Sequence, residues 1–168
     1  MKYKSFTSKS EMVHKKFICN EFALDFRDYG VDFIFGDTAI EMKGKKRYRK
    51  TVTFVCSEAQ VNEWEAAHGA KNLLWMFMLY DLTCKVSSIR SQSAIEAKVA
   101  NREFWLLPWN FIKDKTVHRY ESWGPHYHFT TKDFPKTLLT KEINGIKYHY
   151  EKHDRIEELF SRRDFLKN

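Results

Sequence analysis

Three charged side chains, Asp32, Glu41 and Lys43, lie inside the apolar runs of "DFIFGDTAIEMK", residues 32–43. Charges in strands that face a core are costly unless something pairs them. If Gly36 and Asp37 form a two-residue loop, with Gly at the first position of a type II′ turn, Asp32 falls opposite Glu41. Strand alternation then puts Lys43 on the face of Glu41, with Ile40 and Met42 on the other. Directly opposed residues have Cβ atoms about 4.5–5.5 Å apart, and two carboxylates at that separation repel. A divalent cation removes the penalty. Mg²⁺ takes one or two carboxylates and completes its shell with water and substrate phosphate. Such a cation polarises a phosphoryl group and lowers the pKa of bound water. A lysine beside it can orient or deprotonate that water, or stabilise negative charge in the transition state. The bland alternative is a solvated hairpin face with a cross-strand salt bridge. A one-residue slip of the loop would separate the two carboxylates.

The elements that must position this trio are legible mainly in the first half of the chain. Ser8 to Glu11 fits a capping box opening a helix over residues 8–21. Phe22, Leu24 and Phe26 then alternate and could start a strand. Residues 31–35 and 39–43 are the two arms of the hairpin. "TVTFVC", residues 51–56, is a third strand rich in β-branched residues. Ser57 caps a helix whose Val61, Trp64 and Ala67 recur at helical spacing and which Gly69 ends. "LLWMFMLYDL" is apolar on both faces and should be a central strand covered on both sides. The expected order is therefore α-β-β-β-α-β. Beyond it, "REFWLLPWNFI" reads as a strand with Pro108 near its end or at an edge, residues 104–129 are aromatic-rich, and "HDRIEELFSRRDFL" is a C-terminal helix.

Asp32-x8-Glu41-x-Lys43 on adjacent strands, within this order, resembles the PD-(D/E)xK nuclease superfamily. So does the stretch from Ile40 to Leu82, in which an ExK strand leads to a strand, an S-x-x-Q/E-x-x-x-W helix and an apolar strand. The likeness covers about residues 10–83. Val31-Asp32 stands where the family often has Pro-Asp. The resemblance implies a restriction-endonuclease-like α/β core, a central mixed β-sheet flanked by helices. It also implies a Mg²⁺-dependent DNA endonuclease (Mn²⁺ substituting) that leaves a 3′-hydroxyl and a 5′-phosphate. Asp32 and Glu41 would hold the metal with the backbone carbonyl of Met42, and Lys43 would assist the attacking water. Glu11 and Glu21 both qualify by position as the family's helical acid, and Gln60 is a possible accessory residue. A duplex cutter of this size is expected to be a homodimer. A site-specific restriction or homing enzyme is the leading expectation. A junction resolvase, a repair nuclease and a non-catalytic basic binding module are the alternatives.

The remaining features agree with one domain over residues 1–168, its core in 10–83 and a target-recognition or dimerisation elaboration in 84–168. The 168 residues are 43% hydrophobic and 16% aromatic, with a net charge of +7, enough apolar chain for a core and a balance that favours a polyanionic partner such as DNA. Lys45, Lys46, Arg47, Arg49 and Lys50 follow the trio and are the expected phosphate contacts. The cysteines Cys19, Cys56 and Cys84 are far apart and read as free thiols of a reducing compartment. With no secretory h-region and no long apolar run, the expectation is a cytoplasmic protein without a membrane span. His126 with His128, and His149 with His153, have no partner cysteine or acidic motif that would make a zinc site.

Overall fold

The computed structural model describes residues 6–86 and 91–168. Helix α1 (Phe6–Phe22) leads into strand β1 (Asp25–Phe26). The hairpin of β2 (Phe33–Phe35) and β3 (Thr38–Lys46) follows, and then β4 (Thr53–Ser57) and helix α2 (Glu58–His68). Next come β5 (Leu73–Leu82), α3 (Gln92–Lys98) and β6 (Val99–Pro108). The chain ends with β7 (Thr116–Tyr120), β8 (Gly124–Thr130), β9 (Leu139–Ile143), β10 (Ile146–Tyr150) and α4 (Asp154–Lys167).

Seven strands form a mixed sheet in the order β1-β2-β3-β5-β6-β10-β9. Its centre is β5, which runs parallel to β3 and antiparallel to β6. The apolar run Leu73–Tyr80 of β5 explains that position. Leu74, Met76, Met78 and Tyr80 face one core with α1 and α4, while Leu73, Trp75, Phe77 and Leu79 face a second core. In the second core the Trp75 and Trp109 rings stack with centroids 4.2 Å apart. The protein is thus α/β, with a mixed central sheet flanked by helices.

Two expectations change in three dimensions. The chain from Phe6 is already helical, so Ser8 lies inside α1 and not at its cap position, and Glu11 pairs with Lys15 one turn on, at 2.7 Å. The expected third strand, β4, is a strand but leaves the main sheet. It pairs antiparallel with β8 in a separate three-stranded sheet, β4-β8-β7. One edge of β3 is taken by β5 over eight register pairs, and the other by β2 only over Thr38–Ile40. The alternating burial of β4 places Phe54 and Cys56 in the second core, which its own small sheet covers. A short strand before the hairpin, β1, fills the outer position of the main sheet. Among the described residues, no helix is long and apolar enough to cross a membrane.

Candidate functional site

The β2–β3 loop is the two-residue loop Gly36-Asp37: Phe35 pairs with Thr38, Ile34 with Ala39 and Phe33 with Ile40. Gly36 has φ +55°, the left-handed value that the first position of a type II′ turn requires, and Asp37 does not share it. Arg155 of α4 holds the loop, ion-paired to Asp37 and donating to Thr38 Oγ1 and Asn72 Oδ1, each at 2.8 Å. Extending the register by one pair sets Asp32, just before β2, opposite Glu41 on β3. The Asp32 side chain completes the ladder there: its Oδ2 accepts the Met42 backbone N–H at 2.8 Å.

Both carboxylates are buried, Asp32 at 7% and Glu41 at 4% exposure. Lys43 donates to Glu41 Oε1 at 2.6 Å. Glu41 Oε2 is buried and accepts no hydrogen bond among the described residues; the Glu41 carboxyl lies against that of Asp32, a contact that needs a proton or a cation between the two groups. Burial, helped by the Asp32 charge and opposed by Lys43, pushes the Glu41 carboxyl up to about 7. Burial also acts to lower the Lys43 ammonium, but Glu41 and its other anionic neighbours outweigh it, so its pKa is raised. Lys43 is therefore protonated at neutral pH.

These groups open on a cavity of about 370 Å³ at the end of β3. Asp32, Glu41 and Lys43 line one part of it, and Lys45 and Lys46 continue along the same strand. Ser10, Glu11 and His14 of α1 and Tyr80 of β5 supply other walls. Glu11, not Glu21, is the helical acid at this cavity. Lys15 joins it to the site: its ammonium lies 2.7 Å from Glu11 Oε1 and 2.5 Å from Asp32 Oδ1. Glu21 faces α4, where Arg163 takes Oε1 at 2.7 Å and Lys167 takes Oε2 at 2.8 Å.

Other expected residues separate in the same way. Gln60, in the first turn of α2, is exposed and does not line the cavity; its backbone N–H is spent on the Ser57 cap. Met42 lines the cavity while its side chain packs in the first core. Arg47 bends away, pairing with Glu103 at 2.7 Å and donating to Asn101 O at 2.6 Å. Arg49 and Lys50 are exposed beyond the strand. His149 lies on β10, and His153 caps α4, so the two are not one helical turn apart. Lys15, His14 and Tyr80 carried no signal in the sequence as site residues. The Glu11–Lys15 spacing of four was the one visible hint.

The donor set fits a hard divalent cation. It offers carboxylate oxygens, one of them buried and unpartnered, with lysines placed for a phosphate. Among the described residues no group of three or more His, Cys, Asp or Glu is gathered to hold a metal, so Asp32 and Glu41 would share a cation with water and substrate. Fold and site together define an α/β protein with a buried, lysine-flanked carboxylate pair at the edge of a cavity. No protein-family model, curated protein or solved structure matches the chain.

Proposed function

We propose that the protein is a Mg²⁺-dependent DNA endonuclease of the PD-(D/E)xK type, with Asp32, Glu41 and Lys43 as its catalytic trio. One observation carries the reading: a buried carboxylate oxygen of Glu41 left without a partner, beside Asp32, at the mouth of a lysine-lined cavity. In support, α1, the β2–β3 hairpin, α2 and β5 follow one another along the chain as the resemblance implies, with the expected third strand, β4, lying in the second sheet.

Asp32 and Glu41 would hold the cation, which when bound supplies a polarised phosphoryl group and a water of lowered pKa. Asp32 is aimed by the Met42 N–H. Protonated Lys43, held by Glu41, orients the attacking water and stabilises charge developing on the phosphoryl oxygens; it is a donor here, not a base. Lys45 and Lys46 anchor neighbouring phosphates. Site specificity and a homodimer belong to the same proposal, with β6 to α4 as the portion available for target contacts.

The test is incubation with supercoiled plasmid, branched junctions and flaps in Mg²⁺, with EDTA, Lys43→Ala and Glu41→Ala as controls. Metal-dependent cutting that both substitutions abolish is the expected result. Discrete fragments would indicate a site-specific enzyme, and cutting of branched DNA alone a structure-selective one. Binding to DNA without cutting of any substrate would leave a non-catalytic binding module in its place.

A further inference from the structure

The Lys15 ammonium occupies an unusual position. It bridges two carboxylates, Glu11 Oε1 at 2.7 Å and Asp32 Oδ1 at 2.5 Å. Lys15 is 8% exposed, and its ammonium lies 5.1 Å from the centre of the Phe26 ring. A cation bridging two carboxylates beside a first metal position is the arrangement a second divalent ion would adopt. We propose that Lys15 takes the place of a second divalent cation, so that the site binds one metal ion, at Asp32 and Glu41, and not two. The inference rests on the metal reading above and deepens it.

Charge supports the assignment. At the two cation positions themselves, Glu11, Asp32 and an ionised Glu41 bring three negative charges, and Lys15 and Lys43 bring two positive ones. The balance of one negative charge accommodates a single divalent cation together with one anionic phosphodiester. A second cation would add two more positive charges beside an ammonium already at hydrogen-bond distance from its only bridging oxygens. Geometry agrees. Ammonium–oxygen distances of 2.5 and 2.7 Å exceed the roughly 2.0–2.1 Å of Mg²⁺–oxygen bonds. The Glu11 side chain is 51% exposed, so it can close that gap once Lys15 is removed.

The test counts cations with no reference to cleavage. Mn²⁺ titration followed by the loss of the free-ion electron paramagnetic resonance signal should give one ion per chain for the wild type and for Lys15→Arg. Lys15→Met, which keeps the apolar stem, should give two. The double variant Lys15→Met with Glu11→Gln should return to one. Lys15→Gln serves in place of Lys15→Met if the latter does not fold by circular dichroism. Two ions in the wild type, or one in both uncharged variants, would overturn the proposal and leave Lys15 as a strap between α1 and the sheet. A wild type that binds no Mn²⁺ would overturn the metal reading itself, and this inference with it.

Discussion

Glu21 and Glu41 are both buried glutamates that meet lysine, yet their environments work in opposite directions. At Glu21, between α1 and α4, each carboxylate oxygen has its own cation. Burial acts to raise that carboxyl, but the bonds from Lys167 and Arg163 outweigh it, and its pKa is lowered. At Glu41 one oxygen is paired and the other is not, and burial raises the pKa to about 7. A closed ion cluster ties two helices together. An open one, beside a cavity and a second carboxylate, has unused capacity for a ligand. The two clusters share burial and charge; the candidate site differs in holding a carboxylate oxygen that accepts no hydrogen bond.

The largest expected effect breaks this comparison at the level of activity. Glu41→Ala should lower plasmid cleavage by about a thousandfold or more, the scale of losing a transition-state electrostatic group, and should remove Mn²⁺ binding. Glu21→Ala should leave cleavage per folded molecule unchanged. It would instead leave Arg163, which is 7% exposed, with only its 3.3 Å contact to Asp164, and cost about 3 kcal/mol of stability in a denaturant titration. Equal loss of activity in both variants would erase the distinction.

Next in size is the pH dependence of stability. A carboxyl with a raised folded-state pKa makes its stabilising contribution below its ordinary value and loses it as pH rises through about 7. Glu41→Gln should therefore melt higher than the wild type at pH 8, by about 5 °C, and by much less at pH 5. Glu21 has the opposite sign: its lowered pKa contributes stability above the ordinary carboxylate value, lost as pH falls through the folded value. Glu21→Gln should thus be least stable relative to wild type at neutral pH and approach it in acid. Thermal melts from pH 4 to 8 check both slopes.

A smaller effect concerns the cation. Adding Mg²⁺ or Mn²⁺ should raise the melting temperature more at pH 8 than at pH 6, because Glu41 must lose its proton to bind. The shift should survive Glu21→Gln and vanish in Glu41→Gln. Smallest are the phosphate contacts. Lys45→Ala and Lys46→Ala should each reduce the slope of log binding constant against log salt by about 0.9. Arg47→Ala should leave that slope unchanged, because its guanidinium is engaged with Glu103 and Asn101.

The hairpin shows how far local chemistry reaches. A glycine at the first loop position and period-two alternation determined the register by themselves, since both depend on residues a few positions apart. The same holds for α2, bounded by Ser57 and Gly69, and for β5, whose two apolar faces demanded cover. The choice between Glu11 and Glu21 was not legible. They lie ten residues apart on one helix, about 80° apart around its axis and 15 Å along it, and nothing local says which end meets the hairpin. The departure of β4 was also hidden, because its pairing partner, β8, comes from residues 124–130, far along the chain.

By itself, then, the sequence determined which residues share a strand face, where the turn falls, and that a carboxylate pair with a lysine would result. Those properties follow from dihedral preferences and short-range periodicity. Tertiary structure alone decided that Glu41 keeps one oxygen unpartnered, that Glu21 is sealed by α4, and that Lys15 bridges Glu11 to Asp32 from seventeen residues away. Each is a matter of which surfaces meet across the fold. Burial and pairing, and hence the pKa of a buried acid, are set by groups that chain neighbours do not supply.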